Sequence, residues 1–113
     1  MESFNLQANN WKDVRKQKYK IAVLPWGCTE AHNLHLPYGT DTFLAEKVAY
    51  ESCKKAWERG AGCVLLPAIP FGVNSGQMEV RLCMNMNPTT QKMIIKDVIQ
   101  VLVKDGINKL IIL

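Results

Sequence analysis

The sequence predicts an α/β fold in which a mostly parallel sheet lies between two layers of helices, a three-layer α/β/α sandwich. Three observations predict it. Short continuous apolar runs alternate with longer segments of helical periodicity, glycine and proline mark the boundaries between them, and 113 residues provide for one domain. The order strand, helix, strand, helix, strand favours parallel pairing with right-handed crossovers. We therefore treat residues 1–113 as a single domain.

The first half of the chain supplies an arm, a strand and a long helix. Residues 1–18 are polar with scattered apolar anchors, and they predict an arm with a short helix. Residues 21–25 form an apolar run typical of a strand buried on both faces. Further on, apolar residues recur every three or four positions, which predicts a helix that Thr40 or Asp41 caps and that Gly60 ends.

The second half repeats the alternation. Residues 63–66 predict a second buried strand, and residues 71–87 a loop that contains a short strand at 80–84. The pair Asn87-Pro88 is a strong helix start, because proline suits the first helical position. After that helix, residues 109–113 predict a third buried strand.

The chain ends on this apolar strand, whereas domains normally end in an exposed polar segment. We therefore expect residues 1–113 to be the N-terminal part of a longer fold. In that interpretation the single domain is partial, and its sheet is truncated after the third main strand.

Basic residues outnumber acidic ones, but their distribution argues against a nucleic-acid partner. The 14 Lys and Arg exceed the 10 Asp and Glu by a net charge of +4, and much of the excess lies within residues 12–20, as on a solvated helix face. Nucleic-acid sites interleave basic and aromatic residues over a broader surface. No apolar run approaches the roughly 18 residues of a membrane span. We expect neither nucleic acid nor membrane as a partner.

Cysteine usage and the N-terminus predict a cytoplasmic protein. The four cysteines contain no C-x-x-C pair, which disfavours zinc-ribbon and thioredoxin-like sites. No charged and then apolar leader precedes them, so disulfides in a secreted protein are the weaker interpretation. We expect reduced thiols and a cytoplasmic location.

The loop after the first strand concentrates the groups that carry chemistry. Residues 27–41 contain both histidines of the chain, His32 and His35, and two carboxylates, Glu30 and Asp41, with no lysine or arginine among them. In open α/β sheets ligands bind where strands end. Acidic and imidazole groups concentrated in this way require a cation or a proton to neutralise them.

A divalent metal is one candidate for that cation, since imidazole and carboxylate suit Zn²⁺, Mn²⁺ or Fe²⁺. In an extended segment Glu30 and His32 point the same way, and Asp41 can return from the next helix. The alternative is purely structural: Asp41 caps the helix, His32 and His35 bond to loop backbone, and Glu30 is solvated. Residue spacing leaves both interpretations open.

The segment 24–41 resembles the signature of the creatininase (creatinine amidohydrolase) family, whose pattern runs L-P-x-G-[ST]-x-E-Q-H-G-x-H-L-P-x-x-T-D. The core Glu30-x-His32-x-x-His35-Leu-Pro, followed by Thr40-Asp41, is long and specific. The stretch 67–72 and the helix and strand over 88–113 agree with the family in kind and order. In the family an Asn-Gly-His type segment follows that strand.

The resemblance implies a metal-dependent amidohydrolase with two divalent ions, Zn, Mn or Fe. It implies that Glu30 ligates one ion, that His32 ligates the other, and that Asp41 bridges the two. It places His35 outside the ligand set, where it orients a ligand or the loop. The remaining ligands and the catalytic residues would follow Leu113, so we expect the 113-residue chain alone to be inactive.

The chain departs from the family pattern in ways that bear on the substrate. Residues 31–34 lack the family's glycine and proline, and residues 81–86 replace a Phe-Pro-Gly-Thr stretch near the family's substrate. The expected substrate is therefore a small cyclic or linear amide, and these departures do not single out creatinine. Candidates for the substrate pocket are Trp26, Ser75 and Met84.

The sequence also allows three alternatives to this hypothesis. Cys28 could act as a nucleophile, but packing is favoured, because a catalytic cysteine requires a partnered histidine and an electropositive site. A non-catalytic α/β binding or assembly module would keep the loop for structure alone and bind no stoichiometric metal. A flavodoxin-like nucleotide binder is disfavoured, since Glu30 and Asp41 would repel phosphate. Family resemblance also implies a homo-oligomer, commonly a hexamer.

Overall fold

The computed structural model describes residues 2–113 and contains three helices, three strands and two 3-10 turns in that range. In chain order they are a 3-10 turn (Leu6–Ala8), helix α1 (Trp11–Val14), strand β1 (Ile21–Leu24), helix α2 (Thr40–Glu58), strand β2 (Cys63–Leu65), a second 3-10 turn (Ser75–Gln77), helix α3 (Pro88–Lys104) and strand β3 (Lys109–Ile112). The predicted arm with a short helix, both long helices and all three main strands are present.

The three strands form one parallel sheet in the order β2-β1-β3. Ile21, at the start of β1, pairs with Cys63 of β2 on one side and with Lys109 of β3 on the other. The chain therefore moves across the sheet in one direction through α2 and in the opposite direction through α3. Right-handed crossovers in opposite directions place these helices on opposite faces of the sheet.

Side chains of β1 and β2 alternate between two hydrophobic cores, one on each face. Val23 packs with Ala49 and Cys53 of α2, together with Phe4 of the arm. Its neighbour Ala22 packs on the other face with residues of and after α3, of which Leu102 and Ile107 are buried. The predicted three-layer architecture is therefore the observed one.

Both long helices end before a glycine with positive φ. Gly60 has a φ of 86° and Gly106 a φ of 77°, a left-handed conformation that glycine adopts without the steric cost of a Cβ. The predicted helix end at Gly60 is therefore confirmed, and each glycine turns the chain toward the next strand.

Three local predictions were wrong. Residues 80–84 form turns rather than a strand, because Leu82 has a φ of 60° and the Cys83 amide bonds back to the Val80 carbonyl. The N-cap of α2 is Gly39 and not the predicted Thr40 or Asp41. The Thr40 hydroxyl donates to the Pro37 carbonyl instead. Finally, β3 is not buried, since it has only one neighbouring strand within residues 2–113 and exposes 45–48% of Ile111 and Ile112.

Candidate metal centre

Hydrogen bonds that continue the sheet fix the first residues of the loop after β1. The Trp26 amide donates to the Leu113 carbonyl at 2.8 Å, and the Gly27 amide donates to the Ile69 carbonyl at 2.7 Å. The Trp26 indole Nε1 also donates to the Phe71 carbonyl at 2.9 Å. The loop therefore leaves the carboxyl edge of the sheet in a defined direction, at the edge where α/β proteins bind ligands.

Glycine at position 27 lets the first turn of α2 approach this loop closely. A Cβ on Gly27 would lie 2.1 Å from Thr42 Oγ1 and 2.5 Å from Thr42 Cα, far inside van der Waals contact. The Thr42 hydroxyl is buried and donates to the Cys28 carbonyl at 3.3 Å. As a result Asp41, the residue before Thr42, faces the loop.

His32 lies between the two carboxylates of the motif. Its Nε2 is 3.1 Å from Asp41 Oδ2 and 3.6 Å from Glu30 Oε1. The side chains are partly buried, with 25% of His32, 20% of Glu30 and 38% of Asp41 exposed. The three predicted ligands are therefore brought together. The structural alternative requires Asp41 to cap its helix, but its side chain turns toward His32 instead.

The two carboxylates also affect each other. The pKa of Glu30 is raised above its ordinary value, first by a hydrogen bond with Asp41, then by desolvation and by the charge of Asp41, while the nearby His32 acts in the opposite direction. Two carboxylates this close stabilise a shared proton or a bound cation. The donor set of one imidazole and two carboxylates fits a divalent metal ion.

Cys28 is a fourth group at this site. One ligand atom each from Cys28, Glu30 and Asp41 lie within 4.8 Å of one another. Cys28 is 9% exposed, as expected of a packing residue, yet its sulfur belongs to the same cluster. In an extended segment, positions 28, 30 and 32 point to the same side, so the sequence already contained a signal that Cys28 faces the cluster.

The other predicted site residues are placed at differing distances from the cluster. Trp26 and Asp41 line one open groove of about 430 Å³, which Leu44, Val48 and Leu113 continue. His35 is exposed on the tight turn that the His32–Leu36 bridge closes. Its role as an orienting residue stays a prediction.

Ser75 and Met84 belong to the downstream loop. Ser75 is exposed at the start of the second 3-10 turn, and Met84 lines a separate hollow of about 370 Å³ with Phe71 and Met86. Among residues 2–113, neither lines the groove beside Asp41. Their assignment to a substrate pocket stays a prediction.

The downstream loop, residues 71–87, nevertheless contacts the motif loop, residues 27–41. The Met84 amide donates to the Thr29 carbonyl at 2.9 Å, the Tyr38 hydroxyl donates to the Arg81 carbonyl at 2.7 Å, and the Ala31 amide lies 3.2 Å from Cys83 Sγ. Residues 81–84 therefore form a wall beside the cluster, which sequence patterning did not reveal.

Comparison with known families agrees with this geometry. The family model of creatininase, creatinine amidohydrolase, matches residues 7–113. The chain belongs to the creatininase family. Three residues of the signature segment converge here: Glu30, His32 and Asp41.

Solved structures of the creatininase family share the fold. A provisionally named creatinine amidohydrolase from Bacteroides fragilis NCTC 9343 superimposes with a TM-score of 0.91 at 38% identity, over 99% of this chain and 45% of that one. A creatininase superimposes with a TM-score of 0.82 at 22% identity, over 99% of this chain and 44% of that one. A manganese form of creatininase superimposes with a TM-score of 0.77 at 21% identity, over 96% of this chain and 44% of that one.

The chain therefore spans less than half the length of the creatininase structures that it matches. A comparison with curated proteins finds no match. Within residues 2–113, the helices are either too short or too polar to cross a bilayer.

Proposed function

We propose that the protein hydrolyses a C–N bond of a small cyclic or linear amide at a centre of two divalent metal ions. This chain contributes Glu30, His32 and Asp41 to that centre. The observation that carries the proposal is the position of His32 Nε2, 3.1 Å from Asp41 and 3.6 Å from Glu30 at the carboxyl edge of the sheet. Creatininase structures in manganese and zinc forms support the choice of metal.

Bound divalent ions supply a water of lowered pKa and polarise the amide carbonyl. The residues of this chain prepare that chemistry. His32 Nε2 lies 3.1 Å from Asp41 Oδ2, and this nitrogen would offer its lone pair to an ion in the tautomer that carries the proton on Nδ1. Asp41 has two carboxylate oxygens and lies beside both Glu30 and His32, so it would be able to bridge two ions.

The groove beside Asp41 is the proposed path for substrate. Trp26 forms one side, and its indole is held by the Phe71 carbonyl, so the ring is a rigid apolar wall. Leu44 and Val48 of α2 form the other side. A small amide fits an apolar groove with a few polar groups at one end. A creatininase variant has been solved with creatine, which supports this size class.

The chain by itself supplies three of the ligands that two ions need. We therefore propose that residues 1–113 alone are inactive, and that activity requires groups from the remainder of the fold. A cytoplasmic location and a homo-oligomer, such as the family's hexamer, complete the proposal.

The experiment is metal analysis and amide hydrolysis with the full-length protein. We expect about two divalent ions per subunit and hydrolysis of small amides that a chelator abolishes. Asp41→Ala should remove at least one ion and lower kcat/KM by about 10³-fold or more, because it removes the bridging carboxylate. Inductively coupled plasma analysis and a panel of cyclic and linear amides provide the readouts.

The matched control is Asp97→Ala, which removes an exposed aspartate from α3. This variant should keep both the metal content and the activity. Normal hydrolysis by Asp41→Ala would contradict the proposal. Absence of stoichiometric metal from the wild type, with stability unchanged by chelator, would favour a non-catalytic binding or assembly module.

A further inference from the structure

Cys28 occupies the position at which the family signature has serine or threonine, two residues before Glu30. In the structure one ligand atom each from Cys28, Glu30 and Asp41 lie within 4.8 Å of one another. Donor atoms on one tetrahedral ion stand about 3.5 Å apart, so modest side-chain rotation brings this set to ligand spacing. The exchange of oxygen for sulfur therefore occurs within reach of the metal centre.

The sulfur is held in place from several sides. Cys28 is 9% exposed, and its carbonyl accepts the buried Thr42 hydroxyl at 3.3 Å. Gly72 packs against it, and a Cβ at Gly72 would lie 3.7 Å from Sγ, in van der Waals contact.

We propose that Cys28 is an additional ligand of the ion held by Glu30 and Asp41, and that it makes this ion a thiophilic one, Zn²⁺ in preference to Mn²⁺. The inference rests on the proposed metal centre. Thiolate is a soft ligand that selects zinc, whereas carboxylate and hydroxyl groups suit manganese. On binding, the thiol releases its proton to solvent, and the sulfur lone pair forms the bond to the ion.

Cobalt substitution of the full-length protein tests the ligand directly. We expect the Co²⁺ form of the wild type to show a near-ultraviolet charge-transfer band from thiolate to metal, in addition to its visible bands. Cys28→Ser, which restores a hydroxyl at this position, should abolish the near-ultraviolet band and retain the visible bands. The matched control is Cys83→Ser, because Cys83 contacts the loop that contains Cys28, with its Sγ 3.2 Å from the Ala31 amide. This variant should keep the near-ultraviolet band and the visible bands.

Metal competition tests the selectivity. The ratio of Zn²⁺ to Mn²⁺ affinity should fall by about tenfold or more in Cys28→Ser relative to the wild type and to Cys83→Ser. If Cys28→Ser does not fold, X-ray absorption of the zinc-loaded wild type decides, since a sulfur scatterer at about 2.3 Å supports the proposal and its absence overturns it.

The outcomes separate this inference from the proposed function. Visible cobalt bands without the charge-transfer band, or an unchanged Zn²⁺ to Mn²⁺ ratio in Cys28→Ser, would overturn the role of Cys28 and leave the metal centre intact. Failure of the wild type to bind Co²⁺, Zn²⁺ or Mn²⁺ would overturn both.

Discussion

Glu30 and Asp41 approach each other across the loop after β1, and this approach disfavours the charged form of Glu30. Its pKa is raised by the hydrogen bond with Asp41, by desolvation and by the Asp41 charge. His32 offsets part of this cost. A bound divalent ion would offset more, since its positive charge lies between groups that otherwise repel.

The shift gives stability a pH dependence in metal-free protein. The folded pKa of Glu30 lies above its ordinary value of 4.5, so its contribution to stability is full below 4.5 and is lost as pH rises through the raised folded pKa. Over that range the unfolding free energy of the wild type should fall. Glu30→Gln should remove this component, because glutamine does not titrate.

Urea unfolding in the presence of chelator, repeated across that pH range, measures the difference. Glu46→Gln, at an exposed position of α2, is the matched control and should keep the wild-type dependence. A Glu30→Gln variant whose stability follows the wild-type pH curve would show that the two carboxylates do not couple as the structure indicates.

The sequence predicted that Glu30, His32 and Asp41 meet, but not the whole cluster. Alternation in an extended segment correctly put Glu30 and His32 on one side, within 3.6 Å of each other. The same alternation includes Cys28, but the distance of its sulfur from Asp41 depends on how closely α2 approaches the loop. That approach is a tertiary property, which residue spacing does not encode.

Among the elements, the junction between the loop and α2 positions the centre. Gly27 and Thr42 lie so close that no side chain fits between them, and the buried Thr42 hydroxyl ties the helix to the Cys28 carbonyl. Any displacement of α2 at this junction would move Asp41 away from His32. The junction therefore couples helix packing to ligand geometry.

Gly27→Ala tests this coupling. Its Cβ would meet Thr42 backbone at 2.5 Å, so we expect a loss of about 3 kcal/mol or more in unfolding free energy, from overpacking that backbone movement must relieve. Metal affinity should fall in parallel. The measurements are urea unfolding and isothermal titration with Zn²⁺.

Gly76→Ala is the matched control, because a Cβ at Gly76 meets nothing within 4 Å. It should change the unfolding free energy by less than about 1 kcal/mol and leave metal affinity unchanged. Equal effects of the two substitutions would contradict the close approach at Gly27.

Long periodic elements were predictable, and short irregular ones were not. The apolar repeat of α2 and the proline at the start of α3 reported those helices correctly. Residues 80–84 have strand-like composition, but their amides bond to the 3-10 turn and to Thr29 instead of to a neighbouring strand. Such bonds depend on where the motif loop lies, so local propensity misassigned them.

For the molecule as a whole, apolar side chains remain exposed around β3 and the start of α2. Leu44 exposes 63% of its surface, and Ile111, Ile112 and Leu113 expose 44–48%. β3 also has an unpaired edge within residues 2–113, because the sheet order is β2-β1-β3. Exposed apolar surface of this kind promotes association.

Residues 1–113 expressed alone should therefore self-associate. Leu44→Glu combined with Ile111→Lys should weaken the association by about tenfold or more, since both substitutions place charges on the apolar surface. Val103→Lys, at an exposed position of α3, should have little effect. Sedimentation velocity over a concentration series measures the change, and a monomeric wild type would contradict the expectation.

The order of the strands also has a consequence for biosynthesis. β1 is the middle strand of the sheet and the first strand in the chain, with Ile21 paired to both Cys63 and Lys109. While the ribosome is still adding α3, β1 lacks its second neighbour, and the Trp26 amide has not met the Leu113 carbonyl. Chains emerge from the N-terminus, so Glu30, His32 and Asp41 are translated early, whereas the bond of their loop to Leu113 forms late. The sheet contacts that fix the start of this loop are therefore completed only after β3 has been synthesised.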